Sequence, residues 1–293
     1  MKLFNLYKYA MLGLIVGSVT LSSCKKDDNP NDLPEVDPSD YVGTIDGFKS
    51  TEEIYPTNLV AYFSFDENYA DKISGNAPTL AAGNTLVTGI KGKAANLNAG
   101  YLYYGTQFNA FKTDVFKSFT VSQWIKISNN GSKRTMLLTI ARPGLLQGNL
   151  NINLNTNRAA TDQIFLGVQP IFTTVGGGTQ DNANATLSPK IGPDNWVHLV
   201  LAYNGLTGRF NIVANGINIG SYSDRGVGNN LFKSNEPSEL IIGANYNLVP
   251  GKTVNTDVAY APMTGVIDEV RIYNRFMPDA IIKSMYQLGL ANK

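Results

Sequence analysis

The residues with the clearest chemical potential form an acidic cluster in the first third of the chain. Asp66, Glu67, Asn68 and Asp71 lie close together, and the tripeptide Ser74-Gly75-Asn76 follows them. Oxygen donors on a tight loop suit a hard cation such as Ca²⁺, which takes six to eight oxygen ligands. The same residue types also cap turns in solvent without any ion. The cluster therefore predicts either a calcium loop or a solvated acidic turn.

Tyrosines form the second group of candidate residues. Tyr103 and Tyr104 lie in the string GYLYYG, whereas Tyr246 and Tyr260 flank a polar loop at 246–262 that could rim a cleft. Aromatic rings stack on apolar surfaces and carry a polar hydroxyl, so these four residues are our candidates for binding a sugar. The alternative is that the rings fill the core. Neighbours on one strand point to opposite faces, so Tyr103 and Tyr104 cannot both serve one face.

Most enzymatic and nucleic-acid functions are disfavoured by composition. The chain has one Cys and one His, which excludes disulfide scaffolds and Cys/His zinc sites. His198 lies in the apolar string NWVHLVLAY without a partnered nucleophile, so we interpret it as structural. Lys and Arg number 24 against 23 Asp and Glu, giving a net charge of +1. No basic surplus exists to neutralise phosphates, so nucleic acid is excluded as a partner.

The first residues predict a signal peptide that directs export. Lys2 and Lys8 precede a short apolar run from Ala10 to Leu21, well below the roughly 20 residues that span a bilayer. A basic start, a short apolar middle and small residues at the end predict a signal peptide over 1–23. The string LSSC, ending at Cys24, resembles the bacterial lipobox, which implies a lipoprotein that carries palmitate and related acyl chains on this residue.

The segment after the lipidated cysteine indicates where the protein would be displayed. Its first residues, KKDD, resemble the surface-export signal of Bacteroidetes lipoproteins, which implies lipid anchoring in the outer membrane with exposure at the cell surface. A tether that faces the periplasm is the alternative. Residues 24–57 are rich in Asp, Asn, Pro and Ser without apolar periodicity, so we expect a flexible spacer.

From residue 58 to residue 293 the sequence predicts one all-β domain. Strings such as LVAYFSFD and SFTVSQWIKI alternate with a period of two, as half-buried strands do. Asn215-Gly216 predicts a tight hairpin, because both turn positions tolerate positive φ. One helix is expected at 278–288, with Pro at its start and Gly289 just past its end. This pattern predicts an antiparallel sandwich with one short C-terminal helix.

The order of these strings resembles a known family. The series begins with NLVAYFSFDENYADKISGN, continues through GKAANLNAGYLYY and NWVHLVLAYN, and ends with TGVIDEVRIYNRFMPDAIIKSMY. It is similar to the LamG-like jelly-roll domain of the concanavalin A-like lectin/glucanase superfamily. The resemblance implies two packed antiparallel sheets, and it leaves function open because this fold serves lectins, adhesins and glycosidases.

The resemblance extends the acidic cluster into a candidate calcium site. The first and last strands of such jelly rolls commonly pair, which would bring Asp268 close to Asp66. Relatives with this pattern often hold a structural calcium ion at that place. The implied ligand set is therefore Asp66, Asp71, Asn76 and Asp268, holding one calcium ion as the cofactor.

Catalysis by the family's usual carboxylates is not expected. Laminarinase-like members use E-x-D-x-x-E on one strand, and the nearest string here, EVDPSD, lies in the predicted spacer. Asp268 and Glu269 are adjacent, so a regular strand would point them to opposite faces. We therefore predict no catalytic residues and no enzyme activity.

The sequence as a whole predicts an outer-membrane lipoprotein whose LamG-like domain binds a glycan or polysaccharide without cleaving it. The identity of the glycan stays open. One alternative is an adhesin or assembly subunit that binds an outer-membrane protein. A second is a glycoside hydrolase with an atypical acid pair, which would need two carboxylates about 5 to 9.5 Å apart in a cleft.

Overall fold

Fourteen β-strands form one continuous sheet that curls into a sandwich. The computed structural model describes residues 43–112, 115–162, 166–181, 187–222, 228–236 and 238–293. Cys24 and the predicted signal peptide lie outside the described residues. The strands are β1 (Leu59–Phe63), β2 (Leu80–Thr88), β3 (Lys93–Tyr104), β4 (Phe119–Ile127), β5 (Arg134–Arg142), β6 (Leu145–Leu154), β7 (Val168–Thr173), β8 (Thr179–Asp181), β9 (Val197–Asn204), β10 (Arg209–Ala214), β11 (Ile217–Tyr222), β12 (Glu239–Ile242), β13 (Tyr260–Ala261) and β14 (Met263–Tyr273). A single α-helix in the described chain, α1 (Asp279–Leu290), follows them.

The strands pair in the order β11-β10-β9-β4-β14-β3-β12-β5-β6-β7-β8, with β1 on β14, β2 on β3 and β13 on β5. All pairs are antiparallel except β13 with β5. The expected pairing of the first and last strands is present, because Phe63 lies opposite Val270. The hairpin between β10 and β11 turns at Asn215 (φ 52°) and Gly216 (φ 74°), as the Asn-Gly pair predicts.

Curling of the sheet brings distant strands face to face. The ring of Phe172 on β7 lies 4.7 Å from that of Phe210 on β10, centroid to centroid, although several strands separate them in the sheet order. Inward-facing side chains such as Phe63, Phe119 and Leu150 form one large apolar core. The predicted all-β jelly-roll class is therefore confirmed, with both layers of the sandwich drawn from one sheet.

The outer side of one half of the sandwich is covered by α1. Outward-facing Val200, Ala202, Val213 and Tyr273 pack against Ile282, Met285 and Leu288 of the helix. We call this surface the helix-covered face. The helix runs through Gly289 instead of ending before it. A Cβ at this position would stand 2.6 Å from the indole of Trp124. Glycine is thus placed for close packing on Trp124 rather than as a helix stop.

Residues 43–57 also lie on the helix-covered face, which corrects the expected spacer over this part of the chain. Short 3-10 helices occupy Thr51–Glu53 and Pro56–Asn58. Ile54 is buried, and Ile45, Phe48 and Tyr55 pack against the same cluster. The apolar residues of this segment are too few to show a periodicity, yet they are sufficient to dock it.

The outer side of the other half is covered by the segment 246–262. Tyr101 and Tyr103 of β3, Ile241 of β12 and Ala141 of β5 form a second outer cluster together with Tyr246 and Val249 of that segment. We call this surface the loop-covered face. No helix in the described part of the chain is both long and apolar enough to cross a membrane.

Candidate functional site

The acidic cluster after β1 is a hydrogen-bonded turn. Asp71 is buried, and its Oδ1 accepts hydrogen bonds from the backbone N–H of Tyr62 at 2.6 Å and of Ile73 at 3.2 Å. Its Oδ2 accepts from the N–H of Ser74 at 2.9 Å and from the Ser74 hydroxyl at 2.5 Å. Asn76 takes part through its backbone, since its carbonyl accepts from the Asp71 N–H at 2.9 Å. Asp71 therefore stabilises the turn with both carboxylate oxygens.

The structure brings Asp66 and Asp268 to the same turn, which lies at 89–93. Asp66 Oδ1 accepts from the N–H of Lys93 at 3.2 Å, and Asp268 Oδ2 accepts from the N–H of Ile90 at 2.8 Å and of Lys91 at 3.3 Å. Within the described chain no group of three or more His, Cys, Asp or Glu is positioned to hold a metal ion. Because the carboxylates of Asp66, Asp71 and Asp268 already accept backbone hydrogen bonds, calcium binding stays a prediction.

Asp268 and Glu269 depart from the geometry expected of neighbours on a strand. The register of β14 against β4 shifts between Asp268 and Arg271, and Glu269 has a left-handed φ of 50°. Ile267 and Val270 both face the core across this bulge, so the two carboxylates between them lie outside it. Burial, followed by the charge of Glu269, raises the pKa of Asp268 to about 8. The expectation of opposite faces is therefore wrong, because a bulge interrupts the strand.

The carboxylate pair is closed to a sugar chain. Glu269 is 4% exposed and pairs with the Arg271 guanidinium at 2.6 Å. The Tyr62 hydroxyl donates to Glu269 Oε1 at 2.8 Å, and Glu52 Oε1 lies 3.0 Å from the guanidinium. These contacts form a partly buried ionic network beside the turn at 89–93, with Glu52 on its exposed side. They give Glu269 a structural role and leave it no approach for a glycosidic bond.

The single histidine is buried as well. His198 is fully buried, and its Nε2 lies 2.8 Å from the Ser122 hydroxyl. Its ring packs against those of Trp124 and Tyr286 at centroid distances of 4.9 and 6.1 Å. Burial, with a smaller contribution from the charge of Arg271, lowers the pKa of the imidazole to about 3. This Ser–His contact packs α1 on the sheet and is sealed from any substrate.

The four candidate tyrosines are buried, which corrects their assignment as sugar platforms. Tyr104 is 0% exposed in the core, where its hydroxyl donates to the carbonyl of Tyr69. Tyr103 and Tyr246 are 3% and 2% exposed, and both donate hydrogen bonds to Glu239 Oε2, at 2.7 and 2.6 Å. Tyr260 is 7% exposed. Protein covers both ring faces, so none of these rings stacks on a ligand in this conformation.

A polar cleft lies beside the loop-covered face. Its volume is about 410 Å³, and residues from the β5–β6 hairpin, the β7–β8 hairpin and the segment 246–262 line it. The polar side chains in the lining belong to Arg142, Gln147, Thr173, Thr179, Asn255 and Asp257. Such planar amide, guanidinium and carboxylate groups suit recognition of hydroxyl-rich ligands. The predicted rim loop thus contributes Asn255 and Asp257 rather than its flanking tyrosines.

Two other cavities fit a sugar less well. One of about 340 Å³ is lined by residues that include Ser128, Asn130 and Thr264. Its described lining has neither a guanidinium nor a carboxylate group. Another of about 260 Å³ has apolar walls that include Phe116 and Phe232. The cleft beside the loop-covered face is therefore the candidate binding site.

Sequence reasoning missed Arg142, Gln147 and Thr173. Their convergence depends on pairing of β6 with both β5 and β7, which places Arg142 opposite Leu145 and brings Thr173 alongside the start of β6. No local motif marks these residues. The turn signal Pro143-Gly144 next to Arg142 was available, because residues at hairpin tips are exposed and free to bind.

Comparison with known proteins identifies the family of this domain and structures with a similar fold. The family model described as "Concanavalin A-like lectin/glucanases superfamily" matches residues 100–283. No curated protein sequence matches the chain.

Among solved structures, domain 4 of AbnA, a GH43 extracellular arabinanase from Geobacillus stearothermophilus solved in complex with arabinotriose, is similar with a TM-score of 0.53. That match has 19% identity and covers 78% of this chain and 98% of that one. The binding domain of Paraclostridial Mosquitocidal Protein 1 has a TM-score of 0.55 and 17% identity, with 78% and 52% coverage.

The binding domain of botulinum neurotoxin serotype D in complex with N-acetylneuraminic acid has a TM-score of 0.51 and 11% identity, with 78% and 50% coverage. This chain therefore spans about half the length of the two toxin domains. At these identities the likeness concerns the fold.

Proposed function

This chain belongs to the concanavalin A-like lectin/glucanases superfamily, and from that premise we propose that it binds an oligosaccharide in the polar cleft without cleaving it. The observation that carries the proposal is the convergence of Arg142, Gln147, Asn255 and Asp257 around one cleft of about 410 Å³. This volume falls within the roughly 300–1,000 Å³ of typical small-ligand sites. The ligand class is a glycan, held through hydrogen bonds to its hydroxyl groups.

Two structural neighbours support a sugar as the ligand. The AbnA domain, which this chain covers almost completely, was solved with arabinotriose. The serotype D toxin domain was solved with N-acetylneuraminic acid. One is a pentose oligomer and the other an acidic sugar, so the fold accommodates different sugars. The cleft of this chain has one cationic and one anionic side chain, Arg142 and Asp257, which favours an uncharged glycan.

The count of carboxylates in the cleft supports binding without hydrolysis. Glycoside hydrolysis ordinarily uses two carboxyl groups that flank the scissile bond. Asp257 is the single carboxylate among the described residues that line the cleft. Its Oδ1 accepts a hydrogen bond from the N–H of Ala259 at 2.8 Å, which orders the loop. The cleft is thus equipped to hold a sugar but has no acid–base pair.

We propose further that the domain acts at the cell surface. Cys24 would carry the lipid, and the segment that follows it would connect the domain to the outer membrane. The sequence of residues 1–28 supports this location. Labelling with a palmitate analogue tests it, because Cys24→Ser should abolish incorporation while the domain still folds. Persistent labelling of Cys24→Ser would contradict lipidation at this residue.

The binding proposal is tested by affinity electrophoresis on plant, algal and host polysaccharides. We expect at least one polysaccharide to retard the wild-type protein, and Arg142→Ala and Gln147→Ala to weaken that retardation about tenfold or more. Arg209→Ala is the matched control, because Arg209 is exposed on β10, away from the cleft residues.

Retardation by no polysaccharide, together with capture of an outer-membrane protein, would favour the adhesin function instead. Release of reducing sugar that depends on one carboxylate would show an enzyme.

A further inference from the structure

An asparagine stripe runs along one side of β6. Asn149, Asn151 and Asn153 alternate with the core residues Leu150 and Ile152, so all three point to the loop-covered face. Asn149 Nδ2 donates to the carbonyl of Asn235 and to the Ser238 hydroxyl, both at 2.7 Å. Asn151 Oδ1 accepts from the N–H of Gly148 at 2.9 Å. The first two amides of the stripe are thus held by the protein.

Asn153 differs from both. It is 0% exposed, and among the described residues neither its Oδ1 nor its Nδ2 has a hydrogen-bond partner. A buried amide without partners costs free energy, and native proteins retain few of them. Its cross-strand neighbours are Met136 on β5 and Gln169 on β7. The side chain therefore has two unused donors and two unused acceptor sites on the loop-covered face.

The cover above this part of the sheet is attached mainly through apolar contacts. Leu248 and Val254 of the segment 246–262 pack against Met136, Leu146 and Tyr260. From 246 to 258 the hydrogen bonds of the described chain run within the segment, apart from the Tyr246 hydroxyl bond to Glu239 and the Leu248 N–H bond to the carbonyl of Asn245.

The Asn247 side chain organises the segment internally. It donates to Asn255 Oδ1 at 2.6 Å and accepts from the N–H of Val254 at 3.0 Å. Because most of its hydrogen bonds are internal, the segment can move as a unit, at the cost of the Tyr246 bond to Glu239 and of the pairing of residues 259–261 with β5.

The cleft and Asn153 lie on one continuous surface. Leu150 pairs with Phe172, so its neighbour Asn149 lies beside Thr173, which lines the cleft. Asn153 lies four residues further along β6, about 13 Å at the rise of a β-strand. Leu146 both lines the cleft and belongs to the apolar cluster under the cover. An oligosaccharide that enters at Arg142 and follows β6 would thus reach Asn153 once the segment shifts.

We propose that the loop-covered face holds a second sugar subsite under the segment 246–260, in which Asn153 forms hydrogen bonds to the ligand. This inference rests on the proposed glycan binding in the cleft. Short oligosaccharides bind in the cleft alone, and longer ones displace the segment and also contact Asn153. The residue is retained unpartnered in the free protein because its partner is the ligand, a trade of stability for binding.

Replacing Asn153 with Leu tests this subsite, because leucine has nearly the same shape and no polar atoms. We expect Asn153→Leu to raise the melting temperature. We also expect it to weaken binding of a long oligosaccharide, prepared from the polysaccharide that retards the wild type, about tenfold. Binding of the disaccharide from the same polysaccharide should stay unchanged. Asn151→Leu is the matched control, and it should lower the melting temperature because it removes amide groups that are hydrogen-bonded.

The outcomes separate this inference from the function beneath it. Wild-type affinity of Asn153→Leu for every oligosaccharide length, while Arg142→Ala still weakens binding, would overturn the second subsite and leave the cleft intact. A lowered melting temperature of Asn153→Leu would show that the amide serves the fold, which also overturns the inference. No retardation of the wild type by any polysaccharide would overturn the cleft function itself. Faster amide exchange of residues 246–260 on binding the long oligosaccharide would support the displacement.

Discussion

The helix-covered face and the loop-covered face are two outer surfaces of one sheet, and they are closed in opposite ways. Under α1 the contacts are large, apolar and aromatic, with Met285, Leu288 and Tyr286 seated on the sheet. Under the segment 246–262 the sheet presents a stripe of asparagines, one of them without a partner, and a polar cleft opens beside it. A closed polar surface is costly, whereas a closed apolar surface is stabilising.

This difference indicates that the two covers contribute differently to the stability of the fold. The helix buries a surface that would otherwise aggregate, so its removal should be costly and its role is stability. The loop covers the asparagine stripe as well as apolar residues, so its removal should cost less than removal of the helix and would expose polar groups. Substitutions on the two faces, and changes in pH and calcium, test this contrast.

The largest effect should come from the helix-covered face. Leu288→Ala removes a fully buried side chain and should lower the free energy of unfolding by about 2–5 kcal/mol. Leu290→Ala, two residues along and 57% exposed, is the control and should change it by less than about 0.5 kcal/mol. Denaturant melts measure both. Equal, small effects of the two substitutions would show that α1 is not integral to the fold.

The second effect is the pH dependence of stability, and it arises from His198 on the helix-covered face. His198 is neutral in the fold, with a pKa lowered to about 3, whereas the unfolded chain binds a proton below about 6.5. Stability should therefore fall as pH drops from 6.5 towards 3, by about 1.4 kcal/mol per unit from this residue.

Asp268 acts in the opposite direction, because its pKa of about 8 gives stability that is lost as pH rises from 4 to 8. The measurement is therefore the difference in pH dependence between the wild type and His198→Gln. A wild-type imidazole that titrates near 6.5 in the folded state would contradict the seal under α1.

A smaller effect is expected where the loop is attached. Tyr103→Phe removes one of the two phenol hydrogen bonds to Glu239 and should lower the free energy of unfolding by about 1–2 kcal/mol. Glycan affinity in the cleft should not change, since the ring is buried and does not stack on sugar. Tyr101→Phe, on the same face of β3, is the control. A large loss of affinity with unchanged stability would restore this tyrosine as a sugar platform.

The smallest effect should come from calcium. Asp66 and Asp268 already accept backbone hydrogen bonds at the turn 89–93, so an ion there would compete with them. We expect calcium at a few times its dissociation constant to stabilise the fold by about 1 kcal/mol. Asp268→Asn should remove this increment. Identical melts in calcium and in chelator would exclude the site.

The alternation of the strands was visible in the sequence because burial of one face imposes a period of two. The Asn-Gly hairpin and the final helix were visible for equally local reasons, positive φ and capping. The bulge at Glu269 also leaves a trace in the spacing of the apolar residues around it. The apolar residues Ile267, Val270 and Ile272 are spaced by three and then by two, and that change of period marks an extra residue.

The site was less predictable because it depends on what covers each face. Tyr103 and Tyr104 are chemically identical neighbours, yet one lies in the core and the other beneath a segment more than a hundred residues away. Nothing local distinguishes a tyrosine covered by a distant loop from one open to sugar. The acidic cluster forms a turn, as its residue types predicted. The partners of Asp66 and Asp268 could not be predicted, because they lie in the turn at 89–93.

The placement of the two tryptophans has a practical consequence for spectroscopy. Trp124 lies between the sheet and α1, 5.7 Å from the ring of Tyr286, and Trp196 lies under the ammonium of Lys126 at 4.9 Å. Both indoles are thus on the helix-covered half of the molecule. Their fluorescence emission will report undocking of the helix with high contrast, while the cleft is optically silent. A sugar titration followed by intrinsic fluorescence would therefore show little change even when binding is complete.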